Sequence, residues 1–215
     1  MKNLLLVECG PRFEHSISRA AAALVVEHLR RREPGMRILR RDLACVPPSF
    51  VDEAFTQAMY IPPDRQSASE RAALAQSEIL IGELEATDVL VIATPMHNFT
   101  VPAVLKAWID QVLRIGRTFR STPQGKQGLL ADRPVYVVIS SGGWIAGERA
   151  RQPDFLTPYL AALLATLGIR TIGFLYLEAM HGEADLPLRA EAQARAWLDA
   201  NLPLPAEAAV QCFVR

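Results

Sequence analysis

Cysteine is scarce in this 215-residue chain: Cys9, Cys45 and Cys212 are odd in number, and no two form a Cys-x-x-Cys pair. That argues against a disulfide framework and against a zinc site, and it fits a reducing compartment. An excess of either charge is missing too. Lys+Arg and Asp+Glu both number 23, with no acidic or basic block, so nucleic acid and anionic membrane surfaces are not expected partners. No apolar run approaches the ~18 residues of a membrane span. The stretch 4–7 is too short for a signal sequence and ends at Glu8. Neither Gly-x-Gly-x-x-Gly nor a Walker lysine motif occurs, and there is no internal repeat. The expectation is a soluble, cytoplasmic protein with one domain over residues 1–215.

What is present is organised around residues 89–99, Val-Leu-Val-Ile-Ala-Thr-Pro-Met-His-Asn-Phe. Residues 89–93 are apolar and rich in β-branched side chains, the signature of a strand buried on both faces. Thr94-Pro95 is expected to stop it, because proline has no N–H for a ladder. Val101, Leu105, Trp108, Ile109 and Val112 then recur at helical spacing, with Pro102 suited to the first turn. Further buried strands are expected at 3–7 and 135–139, a short strand at 36–39 and a fifth strand at 171–177. Helices are expected after Ser16, whose hydroxyl suits an N-cap, at 50–59, across Leu74, Ile81 and Leu84, at 155–167 before Gly168, and at 188–202. His28 lies on an apolar helical stripe and reads as a packed or rim histidine. Residues 44–73, bracketed by Pro47-Pro48 and Pro62-Pro63, form an irregular excursion, a lid or interface element whose aromatics favour packing. Residues 116–128 read as a polar loop with three glycines. The tail 203–215 has no assignment.

Five strands alternating with helices predict a doubly wound, five-stranded parallel sheet in an α/β fold. Right-handed crossovers then bring the ends of the first, third and fourth strands to one edge, where such sheets bind ligands. The loops after them hold Gly10, Ser16, Ile17 and Ser18; Pro95, Met96, His97, Asn98 and Phe99; and Ser140, Ser141, Gly142 and Gly143. Hydroxyls and free N–H groups at a helix start form an anion site. Each charge-assisted bond to a phosphate is worth roughly 1.5–3 kcal/mol. Micromolar affinity needs about 8 kcal/mol after the entropic cost of association, so a phosphate attached to a large flat ring is the better ligand. Gly142-Gly143 lets a backbone approach a planar ring edge-on. The plainer readings are that the serines merely cap the helix, that Gly-Gly is an ordinary turn, and that Met96, His97 and Phe99 plug the sheet top.

Taken together, Ser-x-Ser-Arg at 16–19, Arg-Asp-Leu at 41–43, Pro-Met-His-Asn-Phe at 95–99, Leu-Lys at 105–106, Asp110 and Arg-x-Gly-x-Thr-Phe at 114–119 resemble the FMN-dependent NADH-azoreductase/quinone reductase family. Gly125, Gly128-Leu129, Ser140-Ser-Gly-Gly143 and Thr157-Pro-Tyr-Leu160 extend the resemblance over nearly the whole chain. It implies a flavodoxin-like homodimer with non-covalent FMN. Gly10, Ser16, Ile17 and Ser18 would surround the phosphate. Residues 95–99 would run along the ring and ribityl chain, with Asn98 near N5, and residues 140–143 would meet the pyrimidine edge. NADH or NADPH would reduce the flavin by hydride transfer to N5, and a quinone or azo compound would then take its place. Gly10 stands where the family usually has serine, His97 where it has tyrosine, and Ser121 where it has an aromatic; Trp144-Ile145 also depart. No side chain need be a nucleophile, and His97 is a candidate proton donor to the substrate. Two other readings stay open. One is a non-enzymatic flavin-binding electron carrier on the same fold. The other is a cysteine phosphatase-like enzyme using Cys9, although His15 occupies the position where that loop needs its arginine.

Overall fold

The computed structural model describes residues 1–182 and 185–204; Cys212 and the rest of the tail from 205 lie outside the described residues. The chain runs β1 (Asn3–Glu8), α1 (Ile17–Arg32), β2 (Arg37–Asp42), α2 (Glu53–Ala58), α3 (Ala68–Glu85), β3 (Val89–Pro95), α4 (Ala103–Val112), β4 (Phe119–Thr122), β5 (Gly125–Gly128), β6 (Val135–Ser140), α5 (Leu156–Leu167), β7 (Ile172–Leu177) and α6 (Leu186–Asn201). β1, β2, β3, β6 and β7 form one parallel sheet in the order β2-β1-β3-β6-β7. The expected doubly wound sheet is therefore what the chain builds.

The unbroken apolar runs follow from burial on both faces. Alternate residues of β1 and β3 face opposite layers: Leu5, Val7, Leu90 and Ile92 pack with α3, α4 and α5, while Leu4, Leu6, Val89 and Val91 pack with α1 and α6. α1 starts at Ser16, whose side chain accepts from the Arg19 backbone N–H, and α5 ends at Gly168 with φ +106. α3 carries a capping box between Ser67 and Glu70. His28 is buried, with Nε2 2.6 Å from the Leu202 carbonyl.

Several boundaries differ from expectation. β3 runs through Thr94 and Pro95, because Pro95 is its last residue and the ladder resumes at the Met96 N–H, 2.8 Å from the Ser140 carbonyl. β2 extends to Asp42 on the sheet edge, where half-exposed arginines are tolerated. α2 is shorter than the stretch 50–59, and of the excursion's aromatics Phe55 is buried while Phe50 and Tyr60 are exposed. Pro102 is the N-cap of α4, immediately before the first turn expected to hold it. Residues 116–128 are not simply a loop: β4 and β5 form an antiparallel hairpin that turns through Pro123 and Gln124 into Gly125, φ +113.

That hairpin packs backbone against backbone. A Cβ on Gly128 would lie 2.1 Å from the Gly168 nitrogen and 2.3 Å from the Leu167 carbonyl carbon, and neither can swing away. At the far edge of the sheet, Arg19 of α1 holds Asp42 of β2 through two bonds of 2.6 and 2.7 Å. The Arg19 bonds, with the Ala44 and Cys45 backbone N–H groups as further donors, hold the Asp42 carboxyl below the usual aspartate range.

Two stability outcomes are expected. Gly128→Ala should lower the urea midpoint by the equivalent of about 1–3 kcal/mol, the usual cost of forcing a methyl into filled space; an unchanged midpoint would contradict the packing. Because its folded-state pKa is depressed, Asp42 contributes its full stabilisation above the ordinary aspartate pKa near ~3.9 and loses it as pH falls through the lower folded value. Asp42→Asn should therefore be less stable than wild type at pH 7, with the gap narrowing as the pH falls from the ordinary aspartate pKa through the lower folded value. A gap that stays constant with pH would refute the linkage.

Candidate functional site at the carboxyl edge of the sheet

The strand register decides which loops meet. Glu8 pairs with Ala93, Pro95 with Ser140, and Ser140 with Leu177, so β1, β3, β6 and β7 end nearly level. β1 and β3 also flank the point where the winding reverses, the crevice at which open α/β sheets bind ligands. A cleft of about 310 Å³ opens there, within the range of small-ligand sites. Its walls are residues 10–12 and 15–17, residues 95–97, residues 140–142, and Met180 with His181.

Gly10, Ser16, Ile17, Pro95, Met96, His97, Ser140, Ser141 and Gly142 thus come together in one cleft. Ser18, Asn98, Phe99 and Gly143 lie outside its lining. Ser18 is fully buried behind Ser16, their hydroxyl oxygens 3.3 Å apart. Asn98 and Phe99 form the tip of a tight turn closed by His97 and Thr100, each N–H donating to the other's carbonyl at 2.9 and 3.0 Å. Their φ values of +48 and +70 give that turn its primed geometry. For Phe99 the left-handed conformation costs roughly 1–2 kcal/mol, and the Phe155 N–H helps fix it by donating to the Phe99 carbonyl at 3.0 Å.

The two glycines of the third loop differ. A Cβ on Gly142 would meet nothing within 4 Å, whereas one on Gly143 would collide with the side-chain amide of Gln152. Gly142, not Gly143, is the glycine that offers open backbone to the cleft. The loop is held from β7: Glu178 accepts from the Ile145 and Ala146 N–H groups at 2.6 and 2.8 Å, and Met180 N–H donates to the Ser141 carbonyl at 2.9 Å. His181 Nδ1 contacts the Gly142 carbonyl. Sequence reasoning missed Met180 and His181. The available signal was their position just past a buried strand beside β6.

The first loop bears on the anion. At Gly10 the Ser16 Oγ sits only 2.4 Å from where a Cβ would be, and Ser18 Oγ 3.6 Å. Any side chain at position 10 would evict the Ser16 hydroxyl from its place at the start of the 16-residue α1. Arg12, His15, His97 and His181 line the cleft, and no carboxylate is among its described lining residues. Hydroxyls, helix-start amides and cationic or neutral side chains fit a phosphate monoester, and the open backbone at Gly142 fits the edge of a flat ring.

A larger groove of about 800 Å³ runs along the other side of α1 against β2 and shares only Ser16 with the cleft. Its central charges, Glu8, Arg19 and Arg40, are already paired with one another, and it does not cross the strand ends. The cleft is the better site. Cys9 does not serve it: the residue is buried, and desolvation pushes its thiol well above the usual range despite nearby Arg19. A phosphatase nucleophile needs the opposite shift, so that reading falls.

Comparison with known proteins agrees with this fold. The model of a family described as having a flavodoxin-like fold matches residues 2–200. FMN-dependent NADH:quinone oxidoreductase 2 of Cupriavidus pinatubonensis is 46% identical over 197 residues, covering 92% of this chain and 96% of that one. FMN-dependent NADH:quinone oxidoreductase 4 of Pseudomonas fluorescens is 52% identical over 180 residues, covering 84% and 85%. Among solved structures, an azoreductase from Bacillus anthracis superposes with a TM-score of 0.78 at 23% identity, over 93% of this chain and 96% of that one. An FMN-dependent NADH-azoreductase from the same organism, in complex with FMN, gives 0.77 at 20% identity, over 93% and 99%. At those identities the two structures speak for the fold. The chain belongs to the flavodoxin-like family that contains the FMN-dependent NADH:quinone oxidoreductases.

Proposed function

We propose that this chain is an FMN-dependent NADH:quinone oxidoreductase, acting also on azo compounds, whose cofactor occupies the cleft at the ends of β1, β3 and β6. The observation that carries the reading is the meeting of three loops in one acid-free cleft beside paired hydroxyls at a helix start. When bound, FMN supplies two-electron redox chemistry through its ring, taking a hydride equivalent from NADH and giving it to the acceptor.

The residues of the chain then have separable tasks. Ser16, with the free N–H groups of the first turn of α1, binds the phosphate, and buried Ser18 supports the Ser16 hydroxyl from behind. Pro95, Met96 and His97 would lie along the ring. Ser140, Ser141 and Gly142 would border its far edge, where fixed loop dipoles would stabilise negative charge without reorganising. His97 is exposed and borders the cleft, within a loop whose backbone is pinned by Thr100; it is placed to hold or pass a proton to an acceptor lying over the ring. Asn98 and Phe99 stand at the mouth. The cleft lies at the low end of ligand-site volumes, and Phe99 and Phe155 leave 42% and 61% of their surface open. Both features suit a site completed by a second copy in a homodimer. No described helix is long and apolar enough to cross a membrane, and a cytoplasmic setting agrees with the sparse cysteines.

The test is direct. Purified protein should be yellow, release FMN on denaturation, and oxidise NADH in steady state when a quinone is present. FMN binding with negligible turnover would favour the electron-carrier reading instead. Gly142→Val should fold normally yet bind FMN about tenfold or more weakly, a loss of ~1.4 kcal/mol or more; full flavin stoichiometry at unchanged affinity would put the ring elsewhere.

A further inference from the structure

Arg19 is the post around which the first loop winds, although it does not reach the cleft. Its Nε donates to the Gly10 carbonyl at 3.0 Å. Its two terminal nitrogens bind Asp42, and the Glu8 carboxylate lies 3.5 Å away. Phe13 covers the guanidinium, 5.3 Å from the ring centroid. The side chain is only 11% exposed and borders the groove on the outer side of α1, not the cleft. Gly10 lines the cleft and Arg19 does not, so the bond commits the Gly10 carbonyl to a partner outside the cleft.

Two consequences follow from elementary electrostatics. A carbonyl oxygen aimed at a phosphate would repel it, so committing the Gly10 oxygen to Arg19 removes one repulsive group from the anion's surroundings. The Arg19 charge is balanced by Asp42 and Glu8, and Glu8 is shared with Arg40. The guanidinium therefore has no charge to spare for the ligand and acts through the loop it holds. Phe13 lies between the two ends of that loop with φ +45, a conformation that L residues avoid and that persists only where the surroundings hold it. Stacking on Arg19 is such a hold.

We propose that Arg19 is a positioning residue for the phosphate end of the cofactor: by fixing the Gly10 carbonyl and the Phe13 ring it sets the preference for a phosphorylated flavin over its phosphate-free form. This rests on the FMN reading above.

The test measures affinities of the apoprotein for FMN and for riboflavin, which shares the ring and lacks the phosphate, by quenching of flavin fluorescence. Arg19→Lys keeps the charge and loses the planar fork. It should reduce the FMN-to-riboflavin preference about tenfold while riboflavin affinity stays at the wild-type value. Phe13→Ala alters a half-exposed side chain, so it should fold normally, and it should reduce the preference in the same direction by a smaller factor. Equal losses for both flavins would overturn the proposal, because a general loosening of the fold affects ring and phosphate alike. An unchanged preference in both variants, with wild-type protein still favouring FMN, would overturn it and leave the FMN reading standing. Wild-type apoprotein that binds neither flavin would overturn the FMN reading and this proposal with it.

Discussion

The parallel ladder joining β1, β3 and β6 is the constraint on which the site depends. Buried between two helical layers, these strands cannot slip by one residue without turning every apolar side chain to the wrong layer or changing which loops stand level. Ala93 opposite Glu8 and Ser140 opposite Pro95 bring residues far apart in sequence to the same edge. The loops need not recognise each other; the sheet has already delivered them.

On that edge the charges are sorted. Two carboxylates at the ends of β1 and β2 are bound by guanidinium groups away from the cleft, Asp42 and Glu8 by Arg19 and Glu8 also by Arg40. The polar groups lining the cleft are hydroxyls, imidazoles and the Arg12 guanidinium, with no carboxylate among its described lining residues. Such a surface receives an anion at little cost in repulsion, and its backbone donors need no rearrangement to do so. Strain is placed at the same edge: Phe13, Asn98, Phe99 and Ala179 are the described non-glycine residues with positive φ, and all four lie in loops that follow sheet strands. Such outliers gather where structure is held for a purpose other than stability.

Much of this was legible in the sequence because burial on both faces writes itself as continuous apolar runs, and because Ser16 and Gly168 mark helix ends by local chemistry. The rest depended on contacts that local pattern does not carry. The β4–β5 hairpin has only Phe119 buried, so no alternation announces it; its anchor is Gly128 against Gly168, forty residues away in the chain. Pro95 lacks a donor, yet as the last residue of a strand it needs none. Gly142 and Gly143 look alike in sequence, and only the position of Gln152 separates them. Arg19 reads as one residue in a motif until Asp42 and the Gly10 carbonyl are seen on either side of it. Cys9 is the reverse case: a nucleophile by residue type, but a core residue by environment.

The claim at the centre is that one cleft both holds the flavin and admits donor and acceptor to it. Anaerobic titration of the FMN-loaded protein with NADH tests this most directly. About one equivalent of NADH per flavin should bleach the visible absorbance of the oxidised flavin, and a matching amount of quinone should restore it, as a two-electron exchange at a shared site requires. Flavin absorbance that NADH leaves untouched, or that quinone fails to restore, would contradict the account.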